Sequence, residues 1–179
     1  MNAARTTVGK DNIEKEPSSE WKLKLLLSEH SPIRLLKFTY TFKSIKYWMS
    51  MHLSRHKVGV EHFIKTQRDD RTGVDRDNLP QSALVNHTIS LNAQAIINIS
   101  RKRLCNKTHE ETKHGWKCFL EDIRKTEHEL FNVCVPECVY RNGICPEVES
   151  CGFIHTANFK KALELYRGNF NSKNISNQL

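Results

Sequence analysis

Apolar positions along the chain follow two different periods, and the switches between them divide it into elements. Residues 36 to 43 alternate, with Leu36, Phe38, Tyr40 and Phe42 on one side and Lys37, Thr39, Thr41 and Lys43 on the other. That predicts a half-buried strand. Val85, His87, Ile89 and Leu91 alternate in the same way with Asn86, Thr88 and Ser90, predicting a second. Between them the spacing becomes helical: Ile45, Trp48, Met49 and Leu53 form a stripe from Ser44 that ends at Arg55, His56 and Lys57. Ahead of the first strand, Ser18 or Ser19 caps a helix running through Trp21, Leu23, Leu25 and Leu27 to Glu29 and His30, before the breaker Pro32. Asn92 opens a helix that ends near Cys105. Thr108 and Glu111 form a capping box for a long helix that buries Trp116, Phe119, Leu120, Ile123, Leu130 and Phe131. A last helix spans Ala157 to Tyr166.

The segments without period are equally informative. Residues 61 to 80 carry Gln67 to Gly73 and Pro80, a turn-rich composition that predicts a surface loop. A Cys-rich loop covers 134–155, and the Asn/Ser-rich tail 168–179 is expected to be disordered. Two strands among helices, with no repeat, predict one α+β domain over 1–167, a central antiparallel sheet packed with helices. Its 179 residues suffice to bury a core without disulfides. No stretch approaches the roughly 20 apolar residues that span a bilayer, and no apolar leader follows Met1, so a cytoplasmic location is expected. The net charge of +8 calls for a polyanionic partner such as a nucleotide, a phosphorylated cofactor or a nucleic acid.

Chemistry concentrates on the helix from Asn92 to Cys105. At 100° per residue, Gln94, Asn98, Arg101 and Cys105 share one stripe and Asn92, Ile96, Ile99 and Arg103 another, so Arg101 and Arg103 cannot face the same ligand. Asn92 suits an N-cap, whereas Asn98 in mid-helix has poor propensity and wants a ligand or a partner. Arg55, His56 and Lys57 complement a helix C-terminus and equally suit a phosphate; His30, just past a helix end, suits a cap as well as a ligand.

Taken together, Ala3-Ala4-Arg5, Glu29-His30-Ser31-Pro32, Phe38-Thr39-Tyr40-Thr41-Phe42, Arg55-His56-Lys57, Arg76-Asp77-Asn78-Leu79-Pro80 and Asn92-Ala93-Gln94 through Asn98 to Arg103 resemble, in order and approximate spacing, the landmarks of flavin-dependent thymidylate synthases. The resemblance implies that family's fold and a homotetramer that methylates dUMP. FAD would be the cofactor, with NADPH as reductant and methylenetetrahydrofolate as carbon donor. It implies FAD contacts from Arg55, His56, Lys57, Asn92, Gln94 and Asn98, with His30 also at the cofactor, near flavin and folate. Arg103 is the implied catalytic residue, contacting the uracil ring. His52, Thr66, Arg68 and Arg76 are the other implied dUMP contacts, Arg76 reaching in from a neighbouring subunit.

Departures are visible too. Lys57 and Gln94 stand where the family has Arg, exchanging bidentate forks for a point charge and a neutral amide. Read without a gap, the Ser, Asn, Ser and Arg of the family's R-H-R-x-x-S-x-N-x-x-S-x-R signature fall on Val60, His62, Lys65 and Gln67. With one inserted residue they fall on Glu61, Phe63, Thr66 and Arg68, the preferred register because it supplies a hydroxyl and a cation, and the segment on to Arg76 is short. A related one-carbon transfer to a pyrimidine nucleotide is therefore the second enzymatic expectation. Nucleic-acid binding ranks behind both, since no helix-turn-helix, finger or aromatic RNA platform is present. No metal is assigned. Cys138, Cys145 and Cys151, with Cys134 and His155, are the zinc candidates, but none is spaced C-x-x-C and the family needs no zinc.

Overall fold

The computed structural model describes residues 1–175, with side chains described through Asn169. It is an α+β fold built on a three-stranded antiparallel sheet of order β1-β3-β2, where β1 is Lys37–Lys46, β2 is Val60–Ile64 and β3 is Leu84–Asn92. Across the sheet the rows Phe38–Leu91–Val60, Tyr40–Ile89–His62 and Phe42–His87–Ile64 run side by side on the face turned to the core. The opposite face carries Thr39, Thr41, Glu61 and Phe63, all exposed.

Strand β2 lies inside the segment expected to be a loop. At its centre His62 faces inward and Phe63 outward, a reversal of the usual amphipathic order that masks the period of the strand. β1 runs three residues beyond the expected end. A bulge at Ser44, with φ of 51°, lets Ile45 and Lys46 pair with Val85 and Leu84, which delays the helix α3 to Tyr47–Ser54.

Ahead of the sheet stand the short α1, Asn2–Thr6, and α2, Ser19–Leu27, whose cap is Ser18: its Oγ accepts from Trp21 N–H at 3.2 Å. A 3-10 turn, Ser31–Leu35, connects α2 to β1. The surface segment between β2 and β3 contains α4, Asp69–Thr72. β3 feeds directly into α5, Ala93–Arg103, where Asn92 Oδ1 accepts from Ala95 N–H at 2.9 Å as expected of an N-cap.

Helix α5 is the axis of the core. Ala93, Ala95, Ile96, Ile97, Ile99 and Ser100 are all buried, Gln94, Arg101 and Arg103 are half-buried, and Asn98 and Lys102 are exposed. The long helix expected after Thr108 is two helices, α6 (Glu110–Thr126) and α7 (His128–Val133), broken at Glu127. The capping box does not form: Thr108 Oγ donates to Lys102 O, and Glu111 takes the Lys46 ammonium at 2.6 Å instead. Trp116, fully buried, packs on Phe119 and donates its indole N–H to Ser100 Oγ at 3.0 Å, tying α6 to α5. Each such fully buried large side chain stabilises the fold by roughly 1.5–3 kcal/mol.

A smaller core joins α8, Glu137–Tyr140, to α9, Ala157–Ile175, through Val139, Phe159 and Tyr166. The Cys-rich stretch is thus not wholly loop. Helix α9 runs past Gly168, where disorder was expected to begin, because its Phe159 and Tyr166 are already anchored in that core; residues 176–179 lie outside the described residues.

Candidate functional site

Among the described residues three cavities stand out. One, about 890 Å³, lies beneath the N-terminal segment and is walled by Trp21, Leu25, Ile33 and Leu36. It holds none of the residues expected to act on a ligand. A second, about 510 Å³, opens at the start of α5 and is lined by Glu29, Arg34, Val58, Gly59, Asn92, Gln94, Ala95 and Asn98. Its volume falls in the roughly 300–1,000 Å³ range of small-molecule sites. The third is treated below.

The 510 Å³ cleft joins residues from three separate stretches of chain. Gly59 sits at its base with φ of 73°, and a Cβ there would stand 2.7 Å from Asn92 Nδ2. Only glycine allows the chain after Arg55-His56-Lys57 to lie against the cap of α5, where Gly59 O accepts from Asn92 N–H at 3.1 Å. Glu29 enters from the end of α2, where His30 N–H bonds Leu25 O and Glu29 N–H bonds Leu26 O. These two bonds close a Schellman motif whose left-handed position usually belongs to glycine. Here Glu29 occupies it with φ of 49°. A strained non-glycine residue at a cleft implies a use for its side chain. The Glu29 carboxylate is ion-paired to Arg101 and accepts from Gln94 Nε2 at 2.6 Å.

Arg101 also donates to Asn98 Oδ1 at 3.2 Å and lies 3.5 Å over the Tyr140 ring. Asn98, Gln94 and Arg101 therefore share a stripe, as the helical spacing requires, but their first partners are one another and Glu29. Arg34 lines this cleft, and His30 and Lys57 flank its lining stretches in the sequence; these side chains and that of Arg55 are exposed, and none has a hydrogen-bond or ion-pair partner among the described residues. Arg55 lies within electrostatic reach of Arg103 and His52, at the junction of α3 and α5.

On the opposite stripe Arg103 turns toward α3. Its Nε donates to His56 Nε2 at 2.9 Å and its Nη2 to the carbonyl of His52, so the guanidinium fastens the end of α5 to the end of α3. His56 Nε2 accepts, so its own proton sits on Nδ1. Burial, then the Arg103 charge and His62, push the His56 pKa down to about 4, because protonating Nε2 would set two cations face to face. His52 is likewise lowered, by burial and then Arg103. Its Nδ1 meets Thr112 Oγ1 at 3.1 Å, and Trp48 packs edge-on against its ring.

A chain of imidazoles continues inward. His62 Nε2 faces the His56 carbonyl at 2.7 Å, and a carbonyl only accepts, so that nitrogen carries a proton. With His62 neutral, its Nδ1 accepts from His87 Nε2–H at 3.0 Å, and His87 Nδ1 accepts from Ser50 Oγ–H at 3.1 Å. Protonating His62 reverses both bonds. Ser50 and His87 are wholly buried, and burial followed by the His62 charge lowers the His87 pKa to about 4.

The remaining expected residues fall elsewhere. Thr66, Arg68 and Arg76 are exposed on the segment between β2 and β3 and do not line the cleft. Arg68 forks onto Asp70 at 2.9 and 2.7 Å, and Arg76 lies 3.9 Å from Asp77. Within this chain, then, the expected dUMP contacts divide between the surface segment and the α3–α5 junction. Cys134 lies against Ser100, its thiol pushed up to about 12 by burial, and His155 is exposed in the 3-10 turn Phe153–His155.

Glu29, Gly59, His62, His87 and Ser50 escaped the sequence reading. The lone signal for Glu29 was a carboxylate where a helix needs a left-handed residue. His62 and His87 sit at period-2 positions and read as ordinary strand residues. No family model matches this sequence, and no curated protein matches it at a significant level. Among the described residues no helix is long and apolar enough to cross a membrane.

Proposed function

We propose that this chain is a flavin-dependent thymidylate synthase-like enzyme that methylates dUMP to dTMP in an oligomer, with sites completed between subunits. The observation that carries the reading is the 510 Å³ cleft in which Asn92, Gln94 and Asn98 meet Val58 and Gly59. Two stretches more than thirty residues apart, each bearing part of the family resemblance, form one wall.

The cleft fits a flavin in three respects. Gly59 lets the chain pack against the Asn92 amide, which any side chain there would displace from the cleft wall. Gln94 and Asn98 present amides to the cavity, the donor and acceptor types that read the edge of a planar heterocycle. Arg34 in the cleft, with Lys57 next to Val58 in the chain, has no side-chain partner among the described residues and suits the pyrophosphate of FAD. FAD, when bound and reduced by NADPH, supplies the hydride that turns a carbon from methylenetetrahydrofolate into a methyl group. The residues of this chain bind and orient: Arg103, held beside His56, presents a fixed cation that stabilises charge developing on a pyrimidine ring. Because Thr66, Arg68 and Arg76 stand outside the cleft of their own chain, they would serve a site on a neighbouring copy.

The separation of that segment from the cleft also favours the second reading, transfer of a different one-carbon group to a pyrimidine nucleotide. One experiment distinguishes them. The purified protein is titrated with FAD, followed by absorbance, and then incubated with dUMP, methylenetetrahydrofolate and NADPH, with products weighed by mass spectrometry. Bound flavin and dTMP are expected; a hydroxymethylated product selects the second reading, and failure to bind FAD under any condition removes both.

A further inference from the structure

The third cavity is small and enclosed. It measures about 10 Å³ and is lined by four cysteines, Cys105, Cys138, Cys145 and Cys151, together with Arg101. One thiol comes from just past the end of α5 and three from the segment around and beyond α8, so the fold gathers residues thirty and more positions apart. None of the four is in a disulfide. They lie within electrostatic reach of one another: Cys105 feels Cys145 and Cys151, and Cys138 feels Cys105 and Cys145.

We propose that Cys105, Cys138, Cys145 and Cys151 form a structural zinc site that pins the Cys-rich segment to the end of α5.

Four thiolates are the ligand set of a closed structural zinc site, and soft sulfur selects zinc over magnesium or calcium. The void is about the size of a single water or ion, far too small for an iron–sulfur cluster. Burial raises the Cys105 and Cys138 thiols in the metal-free chain, and backbone amides oppose it: Lys107 N–H points at Cys105 Sγ at 3.5 Å, and the N–H groups of Cys138 and Val139 bond the Cys138 sulfur. Such N–H···S bonds orient and stabilise metal thiolates from the outer shell.

Arg101 adds an independent sign. It lines the void, and its Nε–H is buried with no acceptor among the described residues. An orphaned donor on a charged side chain beside four thiols calls for anionic sulfur, since an unmet buried N–H is costly. Lys113, within reach of Cys105 and Cys151, adds further positive charge to offset the net double negative charge of a zinc tetrathiolate.

Among the described residues no three metal-capable side chains already stand in coordinating positions. Binding must therefore draw the sulfurs in, to about 2.3 Å from the metal. The segment can close: Gly143 and Gly152 are in the left-handed region at φ of 101° and 74°, and most of its side chains between 141 and 151 are exposed. His155 is not needed, since Cys105 supplies the fourth ligand from a part of the chain that spacing alone did not connect.

The test uses the full chain purified under reductant without chelator. Metal analysis is expected to give about one zinc per chain, retained on dialysis, and the cobalt-substituted protein to show the intense visible bands of tetrahedral thiolate coordination. Cys105→Ser and Cys151→Ser should each weaken zinc retention at least about tenfold, whereas His155→Ala and Cys118→Ser should leave it unchanged. Should a variant fail to fold, the cobalt spectrum of the unmutated chain still reads the ligand set. Less than about a tenth of an equivalent after zinc loading, a cobalt spectrum without thiolate charge transfer, an iron–sulfur chromophore, or full retention in folded Cys105→Ser would overturn the site.

Discussion

Arg103 Nε donates to His56 Nε2 at 2.9 Å, so the helix that closes the core and the basic tripeptide that follows α3 meet through a single guanidinium–imidazole bond. The bond fixes the imidazole tautomer, keeps His56 neutral and holds a cation in a partly buried junction.

Arg103→Ala removes that cation while leaving the Gln94–Asn98 wall of the cleft in place. Turnover of dUMP is expected to fall by about 10²-fold or more, the loss typical of a removed electrostatic stabiliser. Flavin stoichiometry should stay near that of the unmutated protein. Steady-state kinetics and flavin absorbance on the same preparation check both halves, and unchanged turnover would contradict the role.

The two histidines held near pKa 4 make stability depend on pH. An unfolded histidine titrates near 6.5, so between about 6.5 and about 4 the unfolded chain binds more protons than the folded one. Stability is therefore full above that window, falls as the pH drops through it, and changes no further from this source below it. Urea denaturation at several pH values should show the midpoint decreasing from neutral to pH 5. Replacing His87 by Asn, which keeps polar atoms but does not titrate in this range, should flatten the slope.

Gly59→Ala meets two obstacles at once, a φ of 73° and the Asn92 amide 2.7 Å from the new methyl. A loss of about 1 kcal/mol or more follows from the backbone alone. The displaced Asn92 should also weaken FAD binding. Chemical denaturation and a flavin titration measure the two effects, and a variant that binds FAD normally would detach Gly59 from the cofactor site.

Glu29 separates side-chain from backbone contributions. Glu29→Ala leaves the buried Arg101 without its carboxylate and is expected to cost about 1–3 kcal/mol. Glu29→Gly loses the same ion pair but relaxes the left-handed backbone, so it should be less damaging by about 0.5–1 kcal/mol. Thermal or urea unfolding of the pair tests the ordering; equal losses would mean the φ of 49° carries no strain.

Much of the framework was readable from periodicity. The alternation in β1 and β3, the Ser18 and Asn92 caps and the two stripes of α5 follow from local rules, because each places its residues on one face by geometry alone. What escaped depends on partners distant in sequence. β2 hides its period because His62 faces inward to meet His87, and Phe63 faces out. Glu111 abandons its capping box for Lys46, sixty-five residues away. Within the candidate cleft, Asn92, Gln94 and Asn98 were legible because Asn98 sits badly in a helix; Glu29 was not, since nothing in its neighbourhood announces that Arg101 and Gln94 will reach it.

Arg101 lines the thiol-walled void and grips Glu29 and Asn98, two residues of the cleft wall. One guanidinium thus stands between a carboxylate and a cluster of thiols. Its Nη2 is held by Glu29 while its Nε, unmatched among the described residues, is free for a partner on the other side, so the same side chain can brace both walls at once.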